Sequence, residues 1–462
     1  MGNKVLKSGI WYTISNFALK GMEFLTIPLF TRLMSQGEYG LYNNYFSWLQ
    51  IALVIGTMYL YPSLYSARFD YKETIHEYIT TILLLGSAFA GVELVATQIL
   101  SKWVVPFLGV ENKYIIIMFI YAMLRPALEI YMISERFQYN YKRSVQISIV
   151  SNVVSLGASI VLLFTMQNKL DARVFGTYIP LIVVCAVLYL GYLKKKICFV
   201  PEYAKYALIV GWPYVPHALA MTMLSSTDRI MITRYCSNED TALYSLAYTC
   251  ALAVTVLWGS INTAFAPWLG EHIHNKDYES IHKVSLKYSL IVAVPVVGLM
   301  LMAPDILLVL GGEKYYSAKN VIAPIMTGCY IQFIYSMYVN IEQFVKKTVG
   351  MAFASIMAAI INFVLNLIFI PRYGYIAAAY TTLVGYLFLL IFHYFLVRRM
   401  KLHKVYNTVQ IGVVVSIMIA LSFTVIMLYA FPIVRYSLFL IYLVMLGFLL
   451  LRNKKEIVNI LK

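Results

Sequence analysis

Apolar runs long enough to cross a bilayer recur from one end of this chain to the other, and they leave few folds open to it. They lie at roughly 9–31, 40–62, 77–100, 114–133, 144–166, 174–193, 206–233, 241–265, 284–303, 320–342, 350–370, 376–397, 409–430 and 433–451, and a crossing takes about 20 helical residues. The expected fold class is therefore an all-α integral membrane protein with about 14 transmembrane helices. Composition agrees: 61% of residues are hydrophobic and 13% charged, against roughly 25% charged in a soluble domain. No polar stretch is long enough to form a separate soluble domain.

The formal net charge of +16 could suggest a nucleic-acid partner, but the bases come in short clusters between apolar runs. That is how cytoplasmic loops are marked. With the N-terminus inside, and with Lys287 and Arg435 near span ends assigned to the adjoining segments, 24 of the 37 Lys and Arg fall in inner segments, 10 in outer loops and 3 within spans. Both termini are expected in the cytoplasm and no nucleic acid is expected. Lys4 and Lys7 precede an apolar helix that continues to about Leu33, too long for a signal sequence, so this helix should stay as the first span. The five cysteines show no CxxC spacing and are expected as free thiols rather than a metal site or a disulfide frame.

The chain also repeats itself. TRLMSQGEYGLY, from Thr31 to Tyr42, returns 202 positions later as TRYCSNEDTALY, from Thr233 to Tyr244, with five of twelve residues identical and Glu38 matched by Asp240. Tyr178, Leu181 and Leu188 return at Tyr380, Leu383 and Leu390 with the same offset, whereas Glu135 and Phe137 find Glu342 and Phe344 at an offset of 207. Spans 1 to 6 thus match spans 7 to 12. An even number of spans per copy makes the repeat parallel, as in many transporters. Residues 1–200 are expected to form an N-terminal six-helix lobe, 201–404 a second lobe repeating it, and 405–462 two appended transmembrane helices.

Charges inside spans mark candidate sites, because each costs a few kcal/mol in hydrocarbon unless it meets a partner or water. Span 1 carries Lys20 and Glu23, span 4 Arg125 and Glu129, and span 7 Asp228 beside Arg229. Spacings of three and four place the first two pairs on one helix face, while Asp228 and Arg229 point about 100 degrees apart. The plain reading is internal ion pairs that lock helices together. The functional reading makes Lys20, Arg125 and Arg229 the walls of a central cavity that attracts an anionic substrate, with Glu23, Glu129 and Asp228 for charge balance or for a coupling proton or sodium ion. Glu93 has no evident partner, and Asp305 lies near a span end where solvation is the simplest reading.

The amides Asn16, Gln146, Asn152, Asn262, Asn362 and Asn366 also fall within spans. They suit sugar hydroxyls, although bonding between helices is their more frequent use. Pro213 and Pro216 should bend span 7 around His217. No phosphate-binding GxxxxGK[ST] loop, HExxH, GxSxG or metal-spaced Cys/His cluster occurs, so nothing in the chain calls for a cofactor, a metal or catalysis.

The N-terminal SGIWYTISNFALKGMEFLTIPLFTRLMSQGEYGLYNNYFS, the later STDRIMITRYCSNEDTALYSLAY and the IPRYGYIAAAYTT segment together resemble the bacterial polysaccharide flippases that move lipid-linked O-antigen or capsule repeat units. Those belong to the superfamily of multidrug and toxin extruders and the peptidoglycan-precursor flippase. The resemblance covers spans 1 to 12 in layout. It implies alternating access that carries an undecaprenyl-pyrophosphate-linked oligosaccharide from the inner to the outer leaflet of the cytoplasmic membrane. The partners it implies are that lipid-linked oligosaccharide, membrane lipid and other polysaccharide-assembly membrane proteins. Spans 13 and 14 resemble those of fourteen-span relatives, where they can form a groove for the lipid tail. The alternatives are a multidrug or toxin exporter of the same superfamily and a polysaccharide polymerase or ligase. The latter should carry a long outer loop rich in arginine, which this sequence lacks.

Overall fold

The computed structural model describes residues 2–452 except 139, 213 and 348, and describes only the backbone of residues 2–14, 16, 141, 257, 260, 264, 349, 449, 450 and 452. Pro213 and the side chains of Lys4, Lys7 and Asn16 therefore lie outside the described residues.

Among the described residues eighteen α-helices follow one another. They are α1 (Gly2–Leu33), α2 (Gln36–Gly56), α3 (Leu64–Asp70), α4 (Ile75–Ile99), α5 (Ser101–Leu108), α6 (Asn112–Phe137), α7 (Tyr141–Thr165), α8 (Lys169–Lys195), α9 (Pro201–Gly211) and α10 (Tyr214–Tyr235). Then come α11 (Asn238–His274), α12 (Tyr278–Leu301), α13 (Ala303–Gly311), α14 (Lys319–Phe344), α15 (Val349–Tyr373), α16 (Tyr375–Arg399), α17 (Thr408–Leu428) and α18 (Pro432–Arg452). Among the described residues there is no strand. Among the described residues ten helices are long and apolar enough to cross a membrane, and the pair α9 and α10, meeting at 50°, makes an eleventh as one broken span. Helices α1, α2 and α18 cover the three other expected runs. The protein is an all-α, multi-pass membrane protein.

Apolar side chains left bare on the outer helices have the same cause. Val161, Phe164, Val183, Val187, Val444 and Phe448 are all more than half exposed, a pattern costly in water and neutral against lipid tails.

The chain divides into two compact units, Met1–Ser245 with Ala352–Ala378, and Leu246–Met351 with Ala379–Lys462. In the first, α2, α6 and α8 meet around Tyr45, Tyr114 and Tyr178, whose rings contact edge to face at 5.4 to 6.1 Å. Helices α7 and α8 lie so close that a Cβ on Gly176 would come within 2.3 Å of the Ser159 Cα. Lipid gives helices little reason to associate except tight van der Waals contact, which a residue without a side chain permits. In the second unit α14 is the most enclosed helix: Phe333, Ile334, Met337 and Ile341 are fully buried, with α12, α13 and α17 packed against it.

The repeated twelve-residue motif is a helix junction. Ser35 caps α2, its hydroxyl accepting from the Glu38 N–H while the Glu38 carboxylate takes the Ser35 N–H at 2.8 Å, a complete capping box. In the second copy Ser237 Oγ accepts the Asp240 N–H at 3.0 Å and donates to the Asp240 carboxylate at the same distance. The matched Ser and acid are thus accounted for by orphan N–H groups at helix starts.

Candidate functional site

Helix α6 builds the first charged cluster on a single face. Tyr121, Arg125 and Glu129 stand four residues apart, one above the other. Arg125 gives Glu129 Oε1 both its Nε, at 3.0 Å, and an Nη, at 2.5 Å, and spends its other Nη on the Tyr121 hydroxyl at 2.7 Å. Arg125 and Glu129 still show 31% and 29% of their side chains. A guanidinium in mid-span costs several kcal/mol against bare lipid unless it meets a partner or water, and Glu129 and Tyr121 supply the partner. Through Tyr121 the cluster is tied to the tyrosine core, the Tyr121 and Tyr178 rings lying 5.4 Å apart.

On α1, Lys20 and Glu23 form the i, i+3 pair read from the sequence, at 2.7 Å, with about half of each side chain exposed. Arg125–Glu129 and Lys20–Glu23 are separate pairs, each closed within its own helix.

The third cluster is buried. Asp228 on α10 has no exposed surface. It accepts a short hydrogen bond from the Tyr244 hydroxyl of α11 and a 2.6 Å bond from Asn366 Nδ2 of α15, and Asn366 in turn donates to Asn362 Oδ1 at 3.2 Å. Arg229, 8% exposed, donates to the Ser225 carbonyl one turn back at 3.0 Å. Three helices are joined here by one carboxylate.

Several polar groups have partners that the sequence could not name. Asn366 donates to Asp228 and to Asn362, and Asn340 donates to Asn262 at 2.8 Å; the bonds to Asp228 and Asn262 join different helices, the more frequent use of such amides. Asn152 returns to the Ser148 carbonyl of its own helix. Asp305 is not simply solvated: Arg435 Nη1 and the Tyr436 hydroxyl each reach its carboxylate at 2.5 Å. Glu342, known from the sequence only as the counterpart of Glu135 in the repeat, and His393, which sequence reasoning passed over, meet at 2.7 Å with almost no exposed surface. Tyr244 was available as a signal, being one of the five identities of the repeat, but its use as a donor to Asp228 was not.

A family of polysaccharide biosynthesis proteins matches residues 5–273, more than half of the chain. The chain belongs to the polysaccharide biosynthesis protein family. Among curated proteins, an Lsg locus protein of Haemophilus influenzae is 23% identical over 378 residues, covering 78% of this chain and 89% of its own. Among solved structures, the lipid II flippase MurJ in an inward closed conformation superposes with a TM-score of 0.70 at 15% identity, over 97% of this chain and 100% of MurJ. A multidrug resistance MATE transporter of the MOP superfamily, inward-facing, reaches 0.61 at 15% identity, over 85% and 98% of the two chains. This family member therefore has the fold of MurJ and of MATE transporters.

Proposed function

We propose that the protein is a flippase. It would move an undecaprenyl-pyrophosphate-linked oligosaccharide repeat unit from the inner to the outer leaflet of the bacterial cytoplasmic membrane by alternating access, in the service of surface polysaccharide synthesis. The observation that carries this reading is Arg125, a mid-span guanidinium oriented by Glu129 and Tyr121 and still about one third accessible, 31%. Such a group binds phosphate oxygens with two donors at once if the carboxylate yields.

In this reading Lys20 and Arg125 are the first bases to meet the pyrophosphate. Arg229 is a third, reached only when the packing around it opens. Glu23, Glu129 and Asp228 balance charge or hold the coupling ion. Residues 1–200 and 201–404 act as two parallel six-helix lobes, with 405–462 appended, and both termini lie in the cytoplasm. The lipid tail stays in the bilayer while the head group crosses, so no bond is made or broken and the chain is a transporter rather than an enzyme. The membrane lipid and other polysaccharide-assembly proteins are its partners.

Deleting the gene in its host and following both the lipid-linked oligosaccharides and the surface polysaccharide tests the reading. Inner-leaflet accumulation of the lipid-linked unit, rescued by this chain but not by Arg125→Ala at equal protein level, is the expected result. Unchanged surface glycan with altered drug sensitivity would overturn it in favour of the exporter reading, which the likeness to MATE transporters keeps in view. Single units reaching the surface without polymer would point to a polymerase.

A further inference from the structure

The two halves of the chain differ at one buried carboxylate. Tyr131, Glu135 and Phe137 at the end of α6 return as Tyr338, Glu342 and Phe344 at the end of α14, and Tyr178, Leu188 and Tyr192 of α8 return as Tyr380, Leu390 and Tyr394 of α16. In the second half, His393 of α16 supplies a ring nitrogen to Glu342 Oε1 at 2.7 Å and is itself stacked on Tyr335 with ring centroids 5.6 Å apart. In the first half the position of His393 is taken by Gly191.

The carboxylate remains, and the matching position offers no side chain to meet it. Glu135 is 7% exposed, and its Oε2 is buried without a hydrogen-bond partner among the described residues. Glu342 also leaves its Oε2 bare but gives the other oxygen to the imidazole. Leaving a buried carboxylate oxygen unmet is costly, and such an exception calls for an explanation. Where the imidazole would lie there is a cleft of about 490 Å³, lined by Glu135 and Gly191 and by the bases Arg68, Lys72, His76 and Lys195. Its size falls within the roughly 300–1,000 Å³ of small-molecule sites. Arg68 is held in place by the Phe137 ring, 4.3 Å below its guanidinium.

We propose that this cleft is a binding site for a phosphate ester whose organic part carries a hydrogen-bond donor. The phosphate meets Arg68, Lys72 and Lys195, and the donor takes the place at Glu135 that His393 takes at Glu342. Bases alone would suit any anion; an inward carboxylate among them favours a ligand whose organic part brings a donor to it while the anion meets the bases. Two sources offer that chemistry, a sugar phosphate, whose hydroxyls donate, and an aminophospholipid head group, whose ammonium donates. The sugar source rests on the flippase reading; the cleft itself does not.

The test uses the purified full chain in detergent, titrated with glucose 1-phosphate, phosphoethanolamine and inorganic phosphate. One of the two esters should bind about tenfold more tightly than inorganic phosphate, the value of one charged hydrogen bond. Glu135→Ala should bring that preference to within about twofold, for the same reason. A Cβ at Gly191 meets nothing within 4 Å, so Gly191→His should fill the cleft, abolish binding of all three probes and hold or raise the melting temperature. Whichever ester binds more tightly assigns the source. Equal binding of esters and inorganic phosphate, or a preference that survives both substitutions, overturns the site. Loss of polysaccharide rescue with this preference intact would count against the flippase reading alone.

Discussion

Asn366 donates a 2.6 Å hydrogen bond to the Asp228 carboxylate across 138 residues of chain, and both groups are fully buried. Taking away Asn366 removes a hydrogen bond from a carboxyl group that has no exposed surface. Asn366→Ala should therefore destabilise the protein by about 2–4 kcal/mol, read as a lower melting temperature in detergent. Tyr244→Phe, which removes one hydrogen bond and keeps the ring, should cost about 1–3 kcal/mol. If both variants melt with the wild type, Asp228 is not the joint between helices described above.

Arg125 spends three donors, two on Glu129 and one on Tyr121. A lysine ammonium cannot reproduce that planar fork. Arg125→Lys should lose transport by about tenfold or more although the charge is kept, with protein levels unchanged. Full activity in the lysine variant would mean that only a positive charge is needed there.

The Lys20–Glu23 pair is about half exposed on both sides. Exposed pairs contribute little, so Lys20→Ala should shift stability by less than about 0.5 kcal/mol. Any loss of transport in that variant then reports substrate handling rather than folding, which a melting curve alongside the transport assay separates.

At Asp305, on the short helix α13, burial acts to raise the carboxyl pKa, but the hydrogen bonds from Arg435 and Tyr436 and the Arg435 charge outweigh it and hold the group below its ordinary value. The folded state thus binds this proton less readily than the unfolded one. Its contribution to stability is present above the usual carboxylate range, near about pH 4, and is lost as pH falls through the lower folded value. Asp305→Asn should flatten the acid limb of the melting profile. An unchanged limb would show that other carboxylates set it.

Gly40 on α2 faces the Asn238 carbonyl so closely that a Cβ would come within 1.8 Å of the oxygen. Backbone cannot move aside as a flexible side chain can. Gly40→Ala should force α2 away from the start of α11 and destabilise by about 1–3 kcal/mol or more, whereas Gly157→Ala, with open space around it, should be neutral or slightly stabilising.

What could be read from the sequence was what a single helix decides. Apolar length placed the spans, and spacings of three and four paired Lys20 with Glu23 and Arg125 with Glu129 because both partners ride on one helix. What could not be read was every pairing that depends on which helices become neighbours. Asp228 with Asn366, Asp305 with Arg435 and Glu342 with His393 stand 138, 130 and 51 residues apart. No periodicity links such positions. The capping role of Ser35 and Glu38 was visible in principle, since a Ser followed three residues later by Glu is a helix-start signature; the same letters were read instead as the mark of a duplicated unit.

The two kinds of charged cluster also differ in when they can close. Arg125 and Glu129 emerge from the ribosome within one helical turn of each other, and can enter the bilayer already neutralised. Asp228 completes its contacts later: Tyr244 follows 16 residues on, but Asn366 is 138 residues downstream, roughly 7–30 seconds of synthesis at typical rates. During that interval the joint between helices stands without its third member. The eleventh span is thus the latch that lets the first unit finish assembling, and a chain truncated before it should leave the seventh span poorly anchored however well its first six helices have inserted.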